Sequence, residues 1–319
     1  MAAEKGIQTV LGRIEPSNLG RTDMHNHLIR VAGVEVDRDK DFLLNRVDLA
    51  LEELSSYHSA GGEALVEMNA IGCGRDIEKL IEIANNTPVK IIAATGFHKG
   101  EFYPKTHWVH RYDVDQIAEL VAKEITEGID LFDYSGPIVR RSPARAGVIK
   151  AASGYQRISV LEERLFRAVA RAHLRTGAPV STHTERGTMA LEQIRLLTSE
   201  GVRPERIIIG HLDRNPDFYY HRQVASQGVF IIYDGASRVK YWPDGILVEL
   251  LRKMIGAGFG KQILLGSDCG RSSYWRAYGG GPGFDYTLRS YVPRLLEEGI
   301  PEEAVEDLLI NNPRRALAF

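Results

Sequence analysis

The residues of this chain best suited to chemistry are histidines, a lysine and an aspartate set against apolar runs. His25 and His27 lie at i and i+2 in Asp23-Met24-His25-Asn26-His27-Leu28. In a strand those side chains share a face, about 6–7 Å apart at the backbone, while Asn26 points opposite, so the two imidazoles can converge on one metal ion, although such a pair alone is a weak signal. Lys150 lies in Gly147-Val148-Ile149-Lys150-Ala151-Ala152, His183 in Ser181-Thr182-His183-Thr184, His211 in Ile209-Gly210-His211-Leu212 and Asp268 in Leu265-Gly266-Ser267-Asp268. One buried histidine is ordinarily a hydrogen-bonded core residue, and a buried lysine ordinarily pairs with a carboxylate, here Asp268. Six polar residues near matching strand ends predict a metal centre instead. Histidine and carboxylate donors suit Zn, Mn or Co better than Mg or Ca, with zinc the first expectation. Four histidines and an aspartate exceed the usual set for one zinc, which predicts two ions. Ions ~3.5–4 Å apart need a bridging anionic oxygen, and a lysine ammonium has the wrong charge. The residues alone leave Lys150 unexplained.

Strands must place these groups together. Apolar, β-branched runs are read as strands over Thr22–Ile29, Ala64–Ala70, Ile91–Phe97, Gly147–Ala152, Pro179–Thr184, Ile207–Leu212, Phe230–Asp234 and Ile263–Asp268. Helical periodicity separates them, over Asp48–Ala60, Asp76–Asn85, Val114–Glu127, Ser159–Thr176, Thr188–Glu200, Asp217–Gln227 and Ile246–Ala257. Alternating strands and helices indicate a parallel sheet. Eight such units without a GxGxxG fingerprint favour a closed (β/α)8 TIM barrel, with the binuclear centre at the C-terminal face of its strands. A barrel of ~250 residues plus insertions accounts for the 319 residues as one domain, residues 1–319.

Composition excludes several classes. A net charge of -2 gives no electrostatic reason for a nucleic-acid or anionic-membrane partner. Met1-Ala2-Ala3-Glu4-Lys5-Gly6 lacks the apolar core of a signal peptide, and no run reaches the ~18–20 apolar residues of a membrane span. Cys73 and Cys269 are too few for a disulfide scaffold, although both follow strand ends near the mouth; they read as reduced packing residues. A soluble, cytoplasmic protein is the expectation, assembled as a homodimer.

The chain resembles the phosphotriesterase-like family of the amidohydrolase superfamily over nearly its whole length. The resemblance runs from Gln8-Thr9-Val10-Leu11-Gly12 and Leu19-Gly20-Arg21-Thr22, through His25-x-His27 and Gly74-Arg75-Asp76, to Asn312-Pro313. It implies a Lys150 carbamylated by CO2, which resolves the awkward charge by bridging two metal ions. It implies that His25, His27 and Asp268 hold the more buried ion and His183 and His211 the more exposed one. It also implies attack by a metal-bridging hydroxide on a carbonyl carbon or phosphorus, with Asp268 taking the proton towards the leaving group. Asp213 is a candidate partner behind these ligands. Asn26 departs from the family, which commonly carries glutamate between the histidines; little consequence is expected.

The loops after strands seven and eight frequently form a phosphate site in barrel enzymes. Here Lys240, Arg271 and Tyr274 offer an ammonium, a guanidinium fork and a hydroxyl to one anion, with Arg238 and Arg276 as alternates. Lys240 followed by Arg271-x-x-Tyr274 looks like the branch that hydrolyses phosphorylated sugar lactones. The small-molecule substrate expected is therefore an aldono-1,4-lactone phosphate. A phosphotriester or an N-acyl homoserine lactone would need a more apolar mouth, for which Tyr274, Trp275 and Tyr278, with Phe97, His98, Phe102 and Tyr103 opposite, are the candidates. A non-catalytic sugar-phosphate binding barrel is the alternative from another class.

Overall fold

Parallel strands with helical crossovers organise the computed structural model, which describes residues 5–319. Residues 1–4, the start of the stretch read above for a signal peptide, lie outside the described residues. A short antiparallel hairpin, β1 (Ile7–Thr9) and β2 (Gly12–Ile14), comes first. The strands that follow are β3 (Thr22–Asn26), β4 (Ala64–Glu67), β5 (Lys90–Gly96), β6 (Ala146–Ser153), β7 (Val180–Thr184), β8 (Ile207–Gly210), β9 (Phe230–Tyr233) and β10 (Ile263–Leu265). They pair in chain order, each parallel to the next. Asp268 and Ser267 then donate backbone N–H bonds of 2.7 and 3.1 Å to the His25 carbonyl, bringing β10 back against β3 in a nearly closed barrel.

Alternation divides the strand side chains. Val66, Ile92, Ala94, Val148, Ile208, Ile232 and Leu264 fill the barrel interior. Their neighbours Leu65, Ile91, Ala93, Ile149, Ile207, Ile209, Ile231 and Ile263 pack outward against the helices. Ile7 from the hairpin and Leu317 from the last helix belong to the interior cluster, opposite the end that carries the histidines. Phe319 and Gly6 exchange backbone hydrogen bonds of 3.0 and 3.2 Å beside them.

Helices begin where their caps lie. Ser159 and Asp113 form capping boxes with Glu162 and Gln116, and Asp76 caps Ile77–Asn85. Several strands stop short of the apolar runs that announced them. His211 and Asp268 fall just beyond β8 and β10 with φ of 60° and 45°, left-handed conformations costly outside glycine. The pairing of β3 with β4 shifts register between Asp23 and Asn26, so His25 and His27 sit on an irregular strand end rather than a regular strand. No helix among the described residues is long and apolar enough to cross a membrane.

Candidate metal centre and substrate cavity

The six residues singled out as metal ligands come together at one end of the barrel. Lys150 lies two positions beyond the inward Val148, so the alternation of β6 carries it into the barrel mouth. The ring centroids of His25 and His27 are 5.5 Å apart, those of His25 and His211 4.6 Å, and those of His183 and His211 4.5 Å. Asp268 Oδ1 stands 3.3 Å from His27 Nε2 and 3.7 Å from His25 Nε2. His25, His27 and Asp268 can hold a metal ion between them.

Each imidazole is presented by a neighbour. Asn69 Oδ1 accepts from His27 Nδ1 at 2.9 Å, and Asp234 Oδ1 accepts from His211 Nδ1 at 2.9 Å; both leave Nε2 facing the cavity. Glu185 holds His183 Nε2 at 3.1 Å, leaving Nδ1 as that ring's open donor. His25 has both ring nitrogens buried without a hydrogen-bond partner, with Asp234 Oδ2 3.5 Å from Nδ1. A buried polar atom without a partner costs on the order of 1–3 kcal/mol, so these residues fit a metal ion that takes up the donors.

Burial sets the charge states. It pushes His27 and His183 down to about 4, and holds His25 and His211 well below the usual imidazole range. All four are therefore neutral, the form that binds metal. Burial likewise pushes the Lys150 amine down, and its one side-chain bond among the described residues goes to the Met68 carbonyl at 3.0 Å. The Lys150–Asp268 ion pair, the alternative to a metal centre, does not form among the described residues. Burial opposes the charge on Asp268, but the Arg238 guanidinium, with His27 and Arg214, holds its carboxyl well below the ordinary range. Arg214 Nη2 and Arg238 Nη1 reach its Oδ2 at 2.5 and 3.1 Å.

The same cavity, of about 190 Å³, receives the anion-binding candidates from the loops after β9 and β10. Lys240 Nζ donates to the Tyr274 hydroxyl at 2.6 Å, and Arg238 lies 4.9 Å over the Tyr274 ring. Arg271 packs 3.9 Å over Phe42 and donates to Asp39 at 2.7 Å and Asp41 at 3.2 Å. Asp41 also accepts from Ser272 and Ser273, tying the loop after β3 to the loop after β10. Arg276 is paired with Asp285 and does not line the cavity.

Trp275 is wholly buried, and Tyr278 packs against it, so the aromatic mouth reduces to Tyr274 with Phe42, Phe102 and Tyr241. Cys73 and Cys269 are buried, with thiols pushed up by burial, Cys73 to about 12. Asp213 is buried rather than exposed. It accepts from Gly235 N at 2.7 Å, immediately behind Asp234, and burial pushes its carboxyl up to about 8. Asn26 bonds Asp23, His27 N and Cys269 N, a brace between the first histidine strand and the last loop.

A model of the phosphotriesterase family matches residues 5–317. The chain belongs to that family. It is a hydrolase acting on ester bonds. It is 41% identical over 325 residues to a phospho-furanose lactonase of Mycoplasmopsis synoviae, covering 99% of this chain and 92% of that protein. The solved structure of an amidohydrolase from Mycoplasma synoviae superposes with a TM-score of 0.97 at 41% identity, over 99% of this chain and 93% of that one. A lactonase from Listeria monocytogenes superposes with a TM-score of 0.91 at 34% identity, over 98% of each chain.

Arg214, Asp234, Glu185 and Asn69 were not singled out from the sequence as members of the site. Asp234 and Asn69 each fall inside an apolar run read as a strand, where a polar residue near the C-terminal end was the available signal. Glu185 follows His183 by two, and Arg214 follows His211 by three. Neither spacing is distinctive by itself.

Proposed function

We propose that the protein is a binuclear metal-dependent lactonase that opens the five-membered ring of a phosphorylated sugar lactone, an aldono-1,4-lactone phosphate. One observation carries the reading: the histidine cluster and the Lys240–Tyr274–Arg271 group face a single cavity. A small ester with an anionic tail spans those two ends. The phospho-furanose lactonase relative supports the same substrate class. In this reading residues 1–319 form one catalytic barrel domain of a cytoplasmic homodimer.

His25, His27 and Asp268 would hold one divalent ion and His183 and His211 the other, zinc first, with manganese and cobalt as alternatives. Lys150 would bridge them as a carbamate. Burial favours its neutral amine, the form that adds CO2. When bound, the ions lower the pKa of water and polarise the ester carbonyl. Asp268 accepts the proton of the attacking water and returns it to the ring oxygen as the bond from C1 to that oxygen breaks. Arg214 and Arg238 fix Asp268 Oδ2, keeping Oδ1 towards the histidines. Lys240, Tyr274 and Arg271 hold the phosphate, and Arg271 leaves Asp39 to do so.

Hydrolysis of the four D-pentono-1,4-lactone 5-phosphates, an N-acyl homoserine lactone and a phosphotriester tests the reading in one assay. Turnover is expected with at least one phosphorylated lactone, and turnover confined to either of the other two esters would replace the reading. Metal analysis separates a binding barrel. About two equivalents per chain are expected, lost when Lys150 is replaced by Met; a protein without bound metal and without turnover would be the binding barrel instead.

A further inference from the structure

Two guanidiniums meet Asp268, and they are not equivalent. Arg238 spends Nη1 on Asp268 Oδ2 and Nη2 on the carbonyl oxygens of Ser267 and Asp268, with its plane against Tyr274. It is a clamp on the loop after β10. Arg214 spends only Nη2, on Asp268 Oδ2, and its Nε is buried with no partner. Its side chain is 8% exposed and lines the cavity. A guanidinium carries five N–H donors; here Nε is buried without a partner and Nη1 makes no hydrogen bond among the described residues, so a ligand that fills these donors is the expected remedy. The residue is steadied from behind. Trp242 Nε1 donates to the Arg214 carbonyl at 3.1 Å, and the Tyr241 ring lies 5.2 Å from its guanidinium carbon. The stem is held while the fork keeps its donors.

Opening a lactone makes a charge that the substrate lacks. The bond from C1 to the ring oxygen breaks and the hydroxyl of water joins C1. One water proton ends on the former ring oxygen, and the new carboxylic acid gives its proton to solvent. The phosphate end of the ligand is unchanged by this, but the carbonyl end becomes a carboxylate.

We infer that Arg214 binds that carboxylate, its fork extending from Asp268 to the hydroxy-acid product at the histidine end of the cavity. The inference rests on the lactonase reading for the origin of the carboxylate. A planar fork matched to a planar carboxylate gives paired, charge-assisted hydrogen bonds, which neither the Lys240 ammonium nor the Tyr274 hydroxyl provides. Arg214 thereby reads one end of the ligand and the loop cluster reads the other.

Calorimetric titration of the metal-loaded protein with each 5-phospho-D-pentonate, and with the corresponding pentitol 5-phosphate that has no carboxylate, tests this without turnover. In the Arg214→Gln variant, the Kd of the best-binding pentonate should rise about 10- to 30-fold and that of its pentitol by less than about 3-fold. Arg214→Lys keeps the charge without the fork and should raise the pentonate Kd about 3- to 10-fold with the same indifference to the pentitol. Metal content and melting temperature of each variant separate a misfolded protein, which would lose both ligands, from one lacking a carboxylate contact. A pentonate-to-pentitol Kd ratio in the folded variant equal to that of the wild type would overturn the inference. Lactone turnover by the wild type tests the proposed function separately, since the titrations use product and alditol only.

Discussion

At the scale of single residues, burial prepares the histidines for metal. Because the pKa values of His27 and His183 lie near 4 rather than 6.5, protons compete with metal only well below neutrality. The sign follows directly: a lowered imidazole pKa widens the pH range of the neutral ligand on the acid side. Metal per chain after dialysis should therefore be the same at pH 8 and pH 6, and half-loss near pH 6.5 would show that these rings titrate as free histidines do. The residues meant to supply the ligands were legible because they are polar groups at the ends of apolar runs. The residues that orient them were not. Asp234, Asn69 and Glu185 reach His211, His27 and His183 across 23, 42 and 2 positions, and the two long spans appear only when strands are laid side by side. Arg214 was missed for a related reason, since its meaning depends on Asp268, which lies 54 residues away.

At the scale of elements, the site depends on close strand-end packing around Lys150. Gly96 ends β5 with a φ of 88°, and an added Cβ would collide with the Lys150 carbonyl, to which Phe97 N donates at 2.9 Å. Gly96→Ala should push β5 from β6 and displace Lys150. The expected outcome is a lower melting temperature together with bound metal falling below two equivalents, measured by calorimetry and elemental analysis. Unchanged metal content in a folded variant would show that Lys150 tolerates the shift. The alternation of strands and helices was visible in the sequence because period-2 and period-3.6 apolar patterns are local. Other features were not local. The hairpin at Ile7–Ile14 is too short to show periodicity, and the register shift in β3 depends on its partner β4. The π-helical turns at Thr287–Tyr291 and Asp307–Asn311 depend on which carbonyl each N–H reaches, which an apolar pattern does not specify.

At the scale of the whole molecule, stability and chemistry sit at opposite ends of the barrel. Ile7 is wholly buried in the interior cluster with Leu317, at the end away from the histidines. Ile7→Ala should cost about 2–5 kcal/mol of stability in a denaturant titration while changing kcat/KM less than about threefold. A large loss of activity in the folded variant would show that the two ends are coupled. The cavity itself joins two halves: histidines fixed by strand ends, and the anion-binding candidates Lys240, Arg271 and Tyr274 on loops. Those loop residues announced an anion by type, but their geometry depends on Asp39, Asp41 and Phe42 from the first loop, which nothing in the sequence linked to them.

The central claim is that this cavity recognises a phosphorylated lactone, and one comparison tests it most directly. kcat/KM is measured for one D-pentono-1,4-lactone with and without its 5-phosphate, in the wild type and in Lys240→Ala. The wild type should prefer the phosphorylated lactone by at least about tenfold. Lys240→Ala should lower that value about 10- to 100-fold, on the order of 1.5–3 kcal/mol, and leave the unphosphorylated lactone unchanged. Equal wild-type values for the two lactones would contradict the account.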